Sequence, residues 1–514
     1  MSAVKGVARG AVHGMTKRSS EYEGYMGSVK LIDSAAPFEV SSAFPAAAIP
    51  KGHERFEMAA AFIERMADLA AVMAATMFAR SIYQLLHVGR HLHYPASTVL
   101  PAAFGFAVLF VLMLDREGAY KPANSLLRIR ETERILRVTV QGFAVVFPVT
   151  FFFSELFSRW VVVLAFILVP LLVIIEKQFV FVLIRNLHGR GYGLQNVLIY
   201  GAGLTGRRVF SAIVRSPKLG MNPVAIVDDN EKLAGHEVYE YGYKRERSAS
   251  VIAGPLTSDL IREQSISLVV IGIPSLSQQR LKEVAAEAFA AGASVAFVPQ
   301  LSCSSETSTD YVDIDGVLIA SMGLPARKRL YETGKHIFDF GAALALLVFT
   351  LPLWATLAAL IRLDSKGPAF FRQERVGRAG KWFDLYKFRT MRVDVPKYGL
   401  HPTGTDDPRV TRVGRWLRRT SLDELPQLIN VLKGDMSLVG PRPEMPFIVE
   451  RYNANHRQRL QVIPGLTGLW QLSADRAFLI HENIQYDLYY IRHRNFFMDL
   501  AILLHTAVFA MKGI

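Results

Sequence analysis

Two adjacent carboxylates, Asp423 and Glu424, lie in a segment of the chain that is rich in arginine. Neighbouring carboxylates can hold a hard divalent cation such as Mg²⁺, and a carboxylate can also attack phosphorus directly. Guanidinium groups are planar and pair bidentately with phosphate oxygens. The arginines around the two carboxylates are Arg372, Arg375, Arg389, Arg409, Arg412, Arg415, Arg418, Arg419 and Arg442. The segment therefore predicts chemistry on a phosphorylated substrate.

The same residues also match the start of a helix. Ser421, followed three residues later by Glu424, has the pattern of a capping box, in which the two residues satisfy backbone donors at the helix N-terminus. The residues alone leave catalysis and helix capping open, and the two roles are compatible.

A glycine-rich turn offers a second way to bind phosphate. Gly201, Gly203 and Gly206 follow an apolar run that is typical of a buried strand, and such a turn points backbone N–H groups and a helix N-terminus at a phosphate. Asp228 ends the next apolar run, where an acidic residue can meet a ribose. The pattern indicates the fold more strongly than a bound cofactor. We favour a structural or regulatory domain over one that binds a nucleotide.

Strand and helix patterns alternate around this turn. Apolar runs at 196–200, 223–228, 267–273 and 293–298 predict four strands, and an Ala/Glu-rich stretch between the last two predicts a helix. Such alternation predicts a parallel, doubly wound sheet over about residues 193–324. A Tyr-x-x-x-Lys pattern at Tyr331 and Lys335, as dinucleotide-dependent sugar enzymes use, lies beyond the last strand, and we interpret it as coincidence.

The composition places the chain at a membrane. Of 514 residues, 51% are apolar and only 20% are charged, and the mean hydropathy is +0.22, which argues against a disordered or purely cytosolic protein. The net charge of +14 favours anionic membrane surfaces and phosphorylated ligands as partners, and no nucleic acid is needed to explain it. The single cysteine, Cys303, cannot form an internal disulfide.

Four apolar runs, at 66–86, 97–114, 136–153 and 160–175, each have about the length that crosses a hydrocarbon core of roughly 30 Å. The loop between the second and third runs is the basic one, and basic loops stay in the cytoplasm. We therefore predict four transmembrane helices, with the N-terminus and everything after the fourth helix in the cytoplasm. The basic residues of that loop are Arg116, Lys121, Arg128, Arg130, Arg134 and Arg137.

A fifth apolar run, at 337–361, is long enough to cross but has basic residues at both ends. Pro352 lies inside it and removes a backbone donor, so neither half alone can span. We predict a re-entrant helix hairpin that enters and leaves by the cytoplasmic face, with its break at Pro352.

Six ordered motifs in the C-terminal part of the chain resemble those of the bacterial sugar transferases, the polyprenyl-phosphate hexose-1-phosphate transferases. The motifs are FFRQERVG at 370–377, KFRTM at 387–391, TSLDELP at 420–426, NVLKGDMS at 430–437, GPRP at 440–443 and PGLTG at 464–468. The four predicted spans and the predicted sheet are similar to the long members of that family, which initiate exopolysaccharide or capsule repeat units.

The resemblance implies a multi-domain integral membrane protein. Its expected parts are a loosely ordered cytoplasmic tail at 1–55, four transmembrane helices at 56–190, a Rossmann-like α/β domain at 191–325 and a monotopic α+β catalytic domain at 326–514. Both the Rossmann-like and the catalytic domain would be cytoplasmic, at the bacterial inner membrane. The family usually has Ser-Pro at the membrane break, where this chain has Leu351 and Pro352. A homo-oligomer is compatible with the sequence.

The resemblance also implies an activity. Asp423 would attack the β-phosphate of a UDP-sugar, releasing UMP, and undecaprenyl phosphate would then take the sugar phosphate from the aspartate. Glu424 would support Mg²⁺ together with Asp423, and Arg418 and Arg442 would hold phosphates. Arg375 and Arg389 are further candidate phosphate ligands. Glucose is favoured as the hexose and galactose is the next choice.

Two other functions remain to be weighed against this one. The first is an NAD(P)-dependent nucleotide-sugar oxidoreductase or dehydratase that uses the turn at Gly201 and the acid at Asp228. The second is an inactive membrane scaffold of polysaccharide assembly, which the intact catalytic motifs make less favoured.

Overall fold

The computed structural model describes most of the chain in eleven segments. These are residues 53–86, 95–120, 127–152, 158–215, 220–242, 245–298, 308–314, 317–323, 328–395, 407–472 and 484–511. The predicted tail at 1–55 lies almost wholly outside the described residues and stays a prediction.

Four helices form the N-terminal bundle: α1 (His53–Leu86), α2 (Ala96–Arg116), α3 (Leu127–Phe152) and α4 (Arg159–Gly189). Small and branched residues on one face of each helix form a common core, while many large apolar side chains point outward. An apolar outer surface is what a helix presents to lipid. Core residues of α1 and α4 include Val72, Ala75, Ala79, Val161, Ala165, Val169 and Val173.

By length and composition, four helices in the described part of the chain are apolar enough to cross a membrane. Three of them belong to the bundle, at Arg55–Leu86, Ala96–Arg116 and Arg159–Gly189, and the fourth is Arg329–Asp364. The third predicted run lies in α3, which is not among these four and carries several charges in its first half. Of the four predicted spans, the first, second and fourth therefore correspond to apolar helices in the structure.

A charged contact is buried inside the bundle and joins its first and last helices. Lys177 of α4 lies 2.8 Å from Asp68 and 3.8 Å from Glu64 of α1. The Tyr120 hydroxyl, just beyond α2, donates to Asp68 at 2.7 Å. Side chains of this kind are costly within a bilayer unless they are paired, so the contact fixes which helices are neighbours.

The middle domain is a six-stranded sheet with helices on both faces. In chain order its strands are β1 (Gln195–Tyr200), β2 (Met221–Asp228), β3 (Glu237–Gly242), β4 (Arg245–Ala253), β5 (Leu268–Ile271) and β6 (Ser294–Phe297). Their spatial order is β3-β4-β2-β1-β5-β6, and only β3 runs antiparallel to its neighbour. The four predicted strands are confirmed. The wholly parallel sheet is corrected to a mixed one, because the polar segment that forms β3 and most of β4 carries no buried-strand pattern.

Three helices cover this sheet. Helix α5 (Leu204–Arg215) packs on one face through Phe210, whereas α6 (Ser258–Glu263) and α7 (Gln278–Ala290) pack on the other. The alternating side chains of β1 supply both cores, since Val197 and Ile199 face α5 while Leu198 and Tyr200 face the opposite side. An antiparallel hairpin, β7 (Ser308–Ile314) and β8 (Val317–Gly323), follows the sheet in the chain.

The C-terminal domain begins with the long helix α8 (Arg329–Asp364), and the antiparallel strands β9 (Phe370–Val376) and β10 (Trp382–Phe388) come next. The remaining elements are short. They include α9 (Arg412–Thr420), a 3₁₀ segment (Leu422–Gln427), α10 (Leu428–Leu432), β11 (Ser437–Val439), α11 (Pro446–Val449), α12 (Ala454–Arg457), a further 3₁₀ segment (Gln458–Gln461), β12 (Gly465–Thr467), α13 (Ile484–His493) and α14 (Phe496–Met511).

Helix α8 continues through Pro352 as one element. Buried residues along one face, from Asp339 and Ala343 to Leu357 and Ile361, pack on the rest of the domain, while the other face exposes large apolar side chains. The structure therefore does not divide this segment into two helices, and the predicted re-entrant hairpin is not confirmed. The one-sided burial suits a helix with one face on protein and the other in lipid.

Helix α14 links the C-terminal domain to the bundle. Met498, Ala501 and Ile502 of α14 are buried in the domain core. On its other side the Thr132 hydroxyl of α3 lies 2.9 Å from the His505 ring. Helix α14 thus packs on protein on both sides.

Candidate active site

A tight turn presents the two carboxylates. Helix α9 is followed by Ser421, which adopts a left-handed backbone conformation with φ of 55°, and a 3₁₀ segment with Asp423 and Glu424 in its first turn comes next. The Ser421 side chain makes no capping hydrogen bond there. Of the two roles that the sequence left open, the capping box is therefore not formed, and the Glu424 side chain bonds other partners.

Strand β10 places a lysine between the two carboxylates. The Lys387 ammonium lies 2.7 Å from Glu424 Oε1 and 4.0 Å from Asp423 Oδ2. The strand is held in place by the buried Asn430 side chain, which donates to the Asp384 carbonyl at 2.6 Å and accepts from the Tyr386 amide at 3.1 Å. Lys387 is a site residue that the sequence analysis did not single out. Its membership in the KFRTM motif was the available signal.

A crossing of two glycine-containing segments fixes the loop that carries Arg442. The Gly440 amide donates to the Thr467 carbonyl at 2.9 Å, and the Gly465 amide donates to the Pro441 carbonyl at the same distance. A Cβ on Gly465 would stand 2.0 Å from the Gly440 nitrogen, so only glycine allows this approach. The crossing explains why the GPRP and PGLTG motifs occur together. From this loop, Arg442 Nη2 donates to Glu424 Oε1 at 3.2 Å.

The two carboxylates differ in their electrostatics. Burial raises the pKa of Asp423, and Lys387 opposes that effect. Burial also acts to raise the pKa of Glu424, but Lys387 and Arg442 outweigh it and lower the pKa to about 2. Among the described residues no donor lies within hydrogen-bond distance of the Asp423 carboxylate. Glu424 is thus the paired acid, and Asp423 is the more basic and less stabilised one.

The other predicted arginines fall into two groups. Arg418 contributes to the positive potential at Asp423 and donates through Nε to the Thr390 hydroxyl at 2.9 Å, and Arg375 lines a small cavity together with Arg442 and Gln427. Arg389 is placed differently: its guanidinium donates to the carbonyls of Ser365 and Lys366 at the end of α8. The structure therefore gives Arg389 a role in holding a helix end and does not bring it to the two carboxylates.

The carboxylates suit a cation that arrives with a substrate. Within the described residues no group of three or more His, Cys, Asp or Glu side chains could hold a metal ion. Mg²⁺ is often bound by one or two carboxylates together with substrate phosphates. In the described part of the chain Asp423 has no donor on its oxygens, and Glu424 engages one oxygen with Lys387 and Arg442, so the donor set fits an ion shared with a diphosphate.

Comparison with known proteins decides the family. Residues 330–513 match the model described as bacterial sugar transferase, and residues 116–299 match the model described as CoA-binding domain. UDP-glucose:undecaprenyl-phosphate glucose-1-phosphate transferase of Xanthomonas campestris pv. campestris is 30% identical over 338 residues, which cover 63% of this chain and 68% of that protein. The chain belongs to the bacterial sugar transferase family.

Two further relatives of this sugar transferase differ in the sugar that they are named for. Galactosyl transferase CpsE of Streptococcus agalactiae is 39% identical over 212 residues, covering 39% of this chain and 47% of that protein. A putative undecaprenyl-phosphate N-acetylgalactosaminyl 1-phosphate transferase of Bacillus subtilis is 46% identical over 149 residues, covering 29% of this chain and 79% of that protein. The chain thus spans less than half of the streptococcal relative.

In the middle domain of the sugar transferase, a side chain of the same domain accepts a hydrogen bond from the glycine turn. The Ala202 amide donates to Asp228 Oδ2 at 2.7 Å, so the acid predicted to meet a ribose bonds the turn itself. A Cβ on Gly206 would stand 1.8 Å from the Gly201 carbonyl oxygen, whereas one on Gly203 would meet nothing within 4 Å. Gly201 and Gly206 therefore serve close packing of helix on strand, which favours the structural interpretation of the turn.

The Tyr-x-x-x-Lys pattern also has a structural explanation in the sugar transferase. The Tyr331 hydroxyl and the Lys335 ammonium donate to the same oxygen of the buried Asp499, at 2.6 and 2.9 Å. Asp339, one turn further along α8, accepts from the Ser437 hydroxyl at 2.6 Å. These bonds tie the start of α8 to α14 and β11.

Proposed function

We propose that this sugar transferase moves hexose-1-phosphate from a UDP-sugar to undecaprenyl phosphate, with Asp423 as the nucleophile. The observation that carries the proposal is the difference in hydrogen-bond partners between the two carboxylates. Lys387 and Arg442 bind Glu424 directly, and Asp423 is left buried and without a hydrogen-bond donor among the described residues. A desolvated carboxylate without donors is more nucleophilic than a solvated one.

The reaction has two displacements at the same phosphorus. In the first, an Asp423 oxygen bonds to the β-phosphorus of the UDP-sugar while the bond from that phosphorus to the bridging oxygen breaks, and UMP leaves with the bond's electrons. An acyl phosphate that carries the sugar remains on the aspartate. In the second, a phosphate oxygen of undecaprenyl phosphate attacks that phosphorus and displaces the Asp423 carboxylate. The products are UMP and undecaprenyl-diphospho-hexose, and Asp423 is regenerated.

The cations around the pair provide the electrostatic part of catalysis. Arg442 and Arg375 face one cavity, and Arg418 adds positive potential at Asp423. Preorganised positive charge stabilises the negative charge that builds on phosphoryl oxygens and on the leaving UMP. Asp423 and Glu424 would hold Mg²⁺ together with the diphosphate, and the ion would supply charge neutralisation there.

Glucose is the hexose that we favour, with galactose next, and the product would begin an exopolysaccharide or capsule repeat unit. The relatives are named for glucose, galactose and N-acetylgalactosamine, so the choice rests on the long relative from Xanthomonas. A comparison of UMP release with UDP-glucose, UDP-galactose and UDP-N-acetylgalactosamine tests the choice. A larger kcat/KM with UDP-galactose than with UDP-glucose would reverse it.

We also propose that α8 enters and leaves the inner membrane from the cytoplasmic side, where both soluble domains lie. Near its start Lys335 bonds Asp499, and at its end Asp364 accepts from the Val413 amide at 2.9 Å. Both ends thus contact one globular domain, which supports placing them on the same side of the membrane. Cysteines introduced near Lys335 and Lys366 should react with a membrane-impermeant reagent from the same side, and opposite sides would contradict re-entry.

A single assay tests the activity. Membranes that contain the full chain are incubated with UDP-glucose, Mg²⁺ and undecaprenyl phosphate, and UMP is followed. Asp423→Asn should abolish UMP release, whereas the matched control Asp384→Asn, which alters a carboxylate paired with the exposed Arg372, should retain it.

Without acceptor, a β-³²P-labelled donor should label the wild-type protein and leave Asp423→Asn unlabelled. Unchanged release by Asp423→Asn would rule out the nucleophile. A wild-type chain that releases no UMP from any UDP-hexose would rule out the function.

A further inference from the structure

An arginine lies buried directly behind the loop that carries Arg442. Arg459 belongs to the 3₁₀ segment Gln458–Gln461, and only 3% of its side chain is exposed. Its Nε donates to Asp487 Oδ2 of α13 at 2.7 Å, and its Nη1 donates to the Tyr452 hydroxyl. Buried charges persist where they are paired and hydrogen-bonded, and Asp487, itself 2% exposed, supplies the pairing.

The remaining arm of the guanidinium reaches the active-site loop. Arg459 Nη2 donates to the backbone carbonyl of Arg442 at 2.8 Å, and the Arg442 side chain in turn contacts Glu424. Arg459 Nη1 also lies 3.8 Å from Glu444, whose carbonyl accepts from the Val376 amide at the end of β9. One buried side chain therefore contacts the backbone on the far side of the loop and the segment that follows it.

The two ends of the loop are held by different means. Gly440 and Pro441 are fixed by the backbone crossing with β12, whereas the Arg442 carbonyl is held by the Arg459 side chain. A shift of about 1 Å in a positioning group can cost a large factor in rate or binding. The placement of the Arg442 guanidinium therefore depends on a contact that lies outside the active site.

We infer that Arg459, oriented by Asp487, is a positioning residue that sets the place of Arg442 and thereby its hold on the diphosphate of the donor. This inference rests on the proposed function for the identity of the donor. Arg459 touches neither carboxylate of the catalytic pair, and its effect passes through the Arg442 backbone.

Lysine cannot replace Arg459 in this role. An ammonium is a single point donor, while the guanidinium fork reaches a carboxylate, a hydroxyl and a carbonyl at the same time. Arg459→Lys keeps the buried charge beside Asp487 and gives up the bond to the Arg442 carbonyl. The substitution therefore separates positioning from charge pairing.

The experiment compares Arg459→Lys, Asp487→Asn and their double variant with a matched control, Arg494→Lys. Arg494 is a largely buried arginine of the same domain that pairs with Glu332 at 2.9 Å, away from the loop. Three quantities are measured on the full chain in detergent: the Kd of inorganic pyrophosphate as a probe of the diphosphate site, and the KM and the kcat for UMP release. Thermal unfolding of each variant reports stability.

Arg459→Lys and Asp487→Asn should each raise the pyrophosphate Kd and the donor KM by about tenfold and change kcat by less than about threefold. The reason is that each substitution weakens the hydrogen bond from the charged Arg459 side chain to the Arg442 carbonyl. In the double variant, the pyrophosphate Kd and the donor KM should each exceed the value of the more affected single variant by no more than about threefold, because both substitutions act on one chain of contacts. Arg494→Lys should match wild type.

A pyrophosphate Kd for Arg459→Lys equal to that of Arg494→Lys would overturn the inference, as would a wild-type chain that does not bind pyrophosphate. A changed Kd in a protein that releases no UMP would support the positioning role and refute the proposed function.

Discussion

The most informative perturbation of the active site is Lys387→Met, which removes a positive charge and keeps most of the side-chain volume. The Lys387 ammonium lies 4.0 Å from Asp423, and its charge favours the ionised form of that carboxyl. At this separation and an effective dielectric constant of about 20, the Coulomb energy is about 4 kcal/mol. That energy corresponds to roughly three pKa units as an upper bound, since each unit is about 1.36 kcal/mol.

The sign of the effect follows from the nucleophile. Asp423 must be ionised to attack, so activity falls as the pH drops through its pKa, which burial already raises. Removing Lys387 raises that pKa further, because the charge that opposed burial is gone. The acidic limb of the profile for UMP release should therefore move to higher pH by about one to three units.

The assay is kcat/KM for UMP release from UDP-glucose, measured across pH for wild type, Lys387→Met and the control Lys433→Met. Lys433 is a surface lysine whose ammonium donates to the Tyr386 hydroxyl at 2.9 Å. Tyr386 precedes Lys387 in the same strand. The control should keep the wild-type limb. A limb that stays in place in Lys387→Met, or that moves as far in Lys433→Met, would refute this account of the electrostatics.

Three further outcomes are expected. Gly206→Ala should lower the unfolding temperature of the chain in detergent, because the added Cβ would stand 1.8 Å from a carbonyl oxygen. Gly203→Ala should leave the unfolding temperature unchanged, and equal effects of the two substitutions would contradict the packing role of the turn. Asn430→Ala removes the partner of the half-buried Tyr386 amide and Asp384 carbonyl, so denaturant unfolding should show a loss of about 1 to 3 kcal/mol, and a loss below about 0.5 kcal/mol would argue against it. EDTA should stop UMP release and added Mg²⁺ should restore it; release that persists in EDTA would exclude the ion.

The chemistry of the site could be read from the sequence where it rests on local residues. Asp423 and Glu424 are adjacent in the chain, so their pairing needs no tertiary information. Lys387 could not be found in this way, because it meets the pair only after β10 packs on the 3₁₀ segment. Arg389 looked equivalent to its neighbours, and only the fold shows that it binds carbonyls at the end of α8.

At the level of the fold, the pattern of apolar residues predicts the buried strands and does not predict the exposed ones. The strands with continuous apolar runs were predicted because both of their faces are covered by helices. Strand β3 and the first half of β4 are polar and edge-like, and they carry no such pattern. The left-handed backbone at Ser421 is another feature that composition does not reveal, since it arises from how α9 meets the following turn.

The contact between Lys177 and Asp68 bears on how the chain is made. Asp68 is synthesised long before Lys177, so its acid enters the membrane without its basic partner. A lone acid in lipid is unfavourable, and the first helices cannot reach their final arrangement until α4 has been inserted beside them. Fragments intended to hold the bundle should therefore extend through Gly189, because a chain that stops short of α4 leaves Asp68 with the Tyr120 hydroxyl but without its ammonium partner.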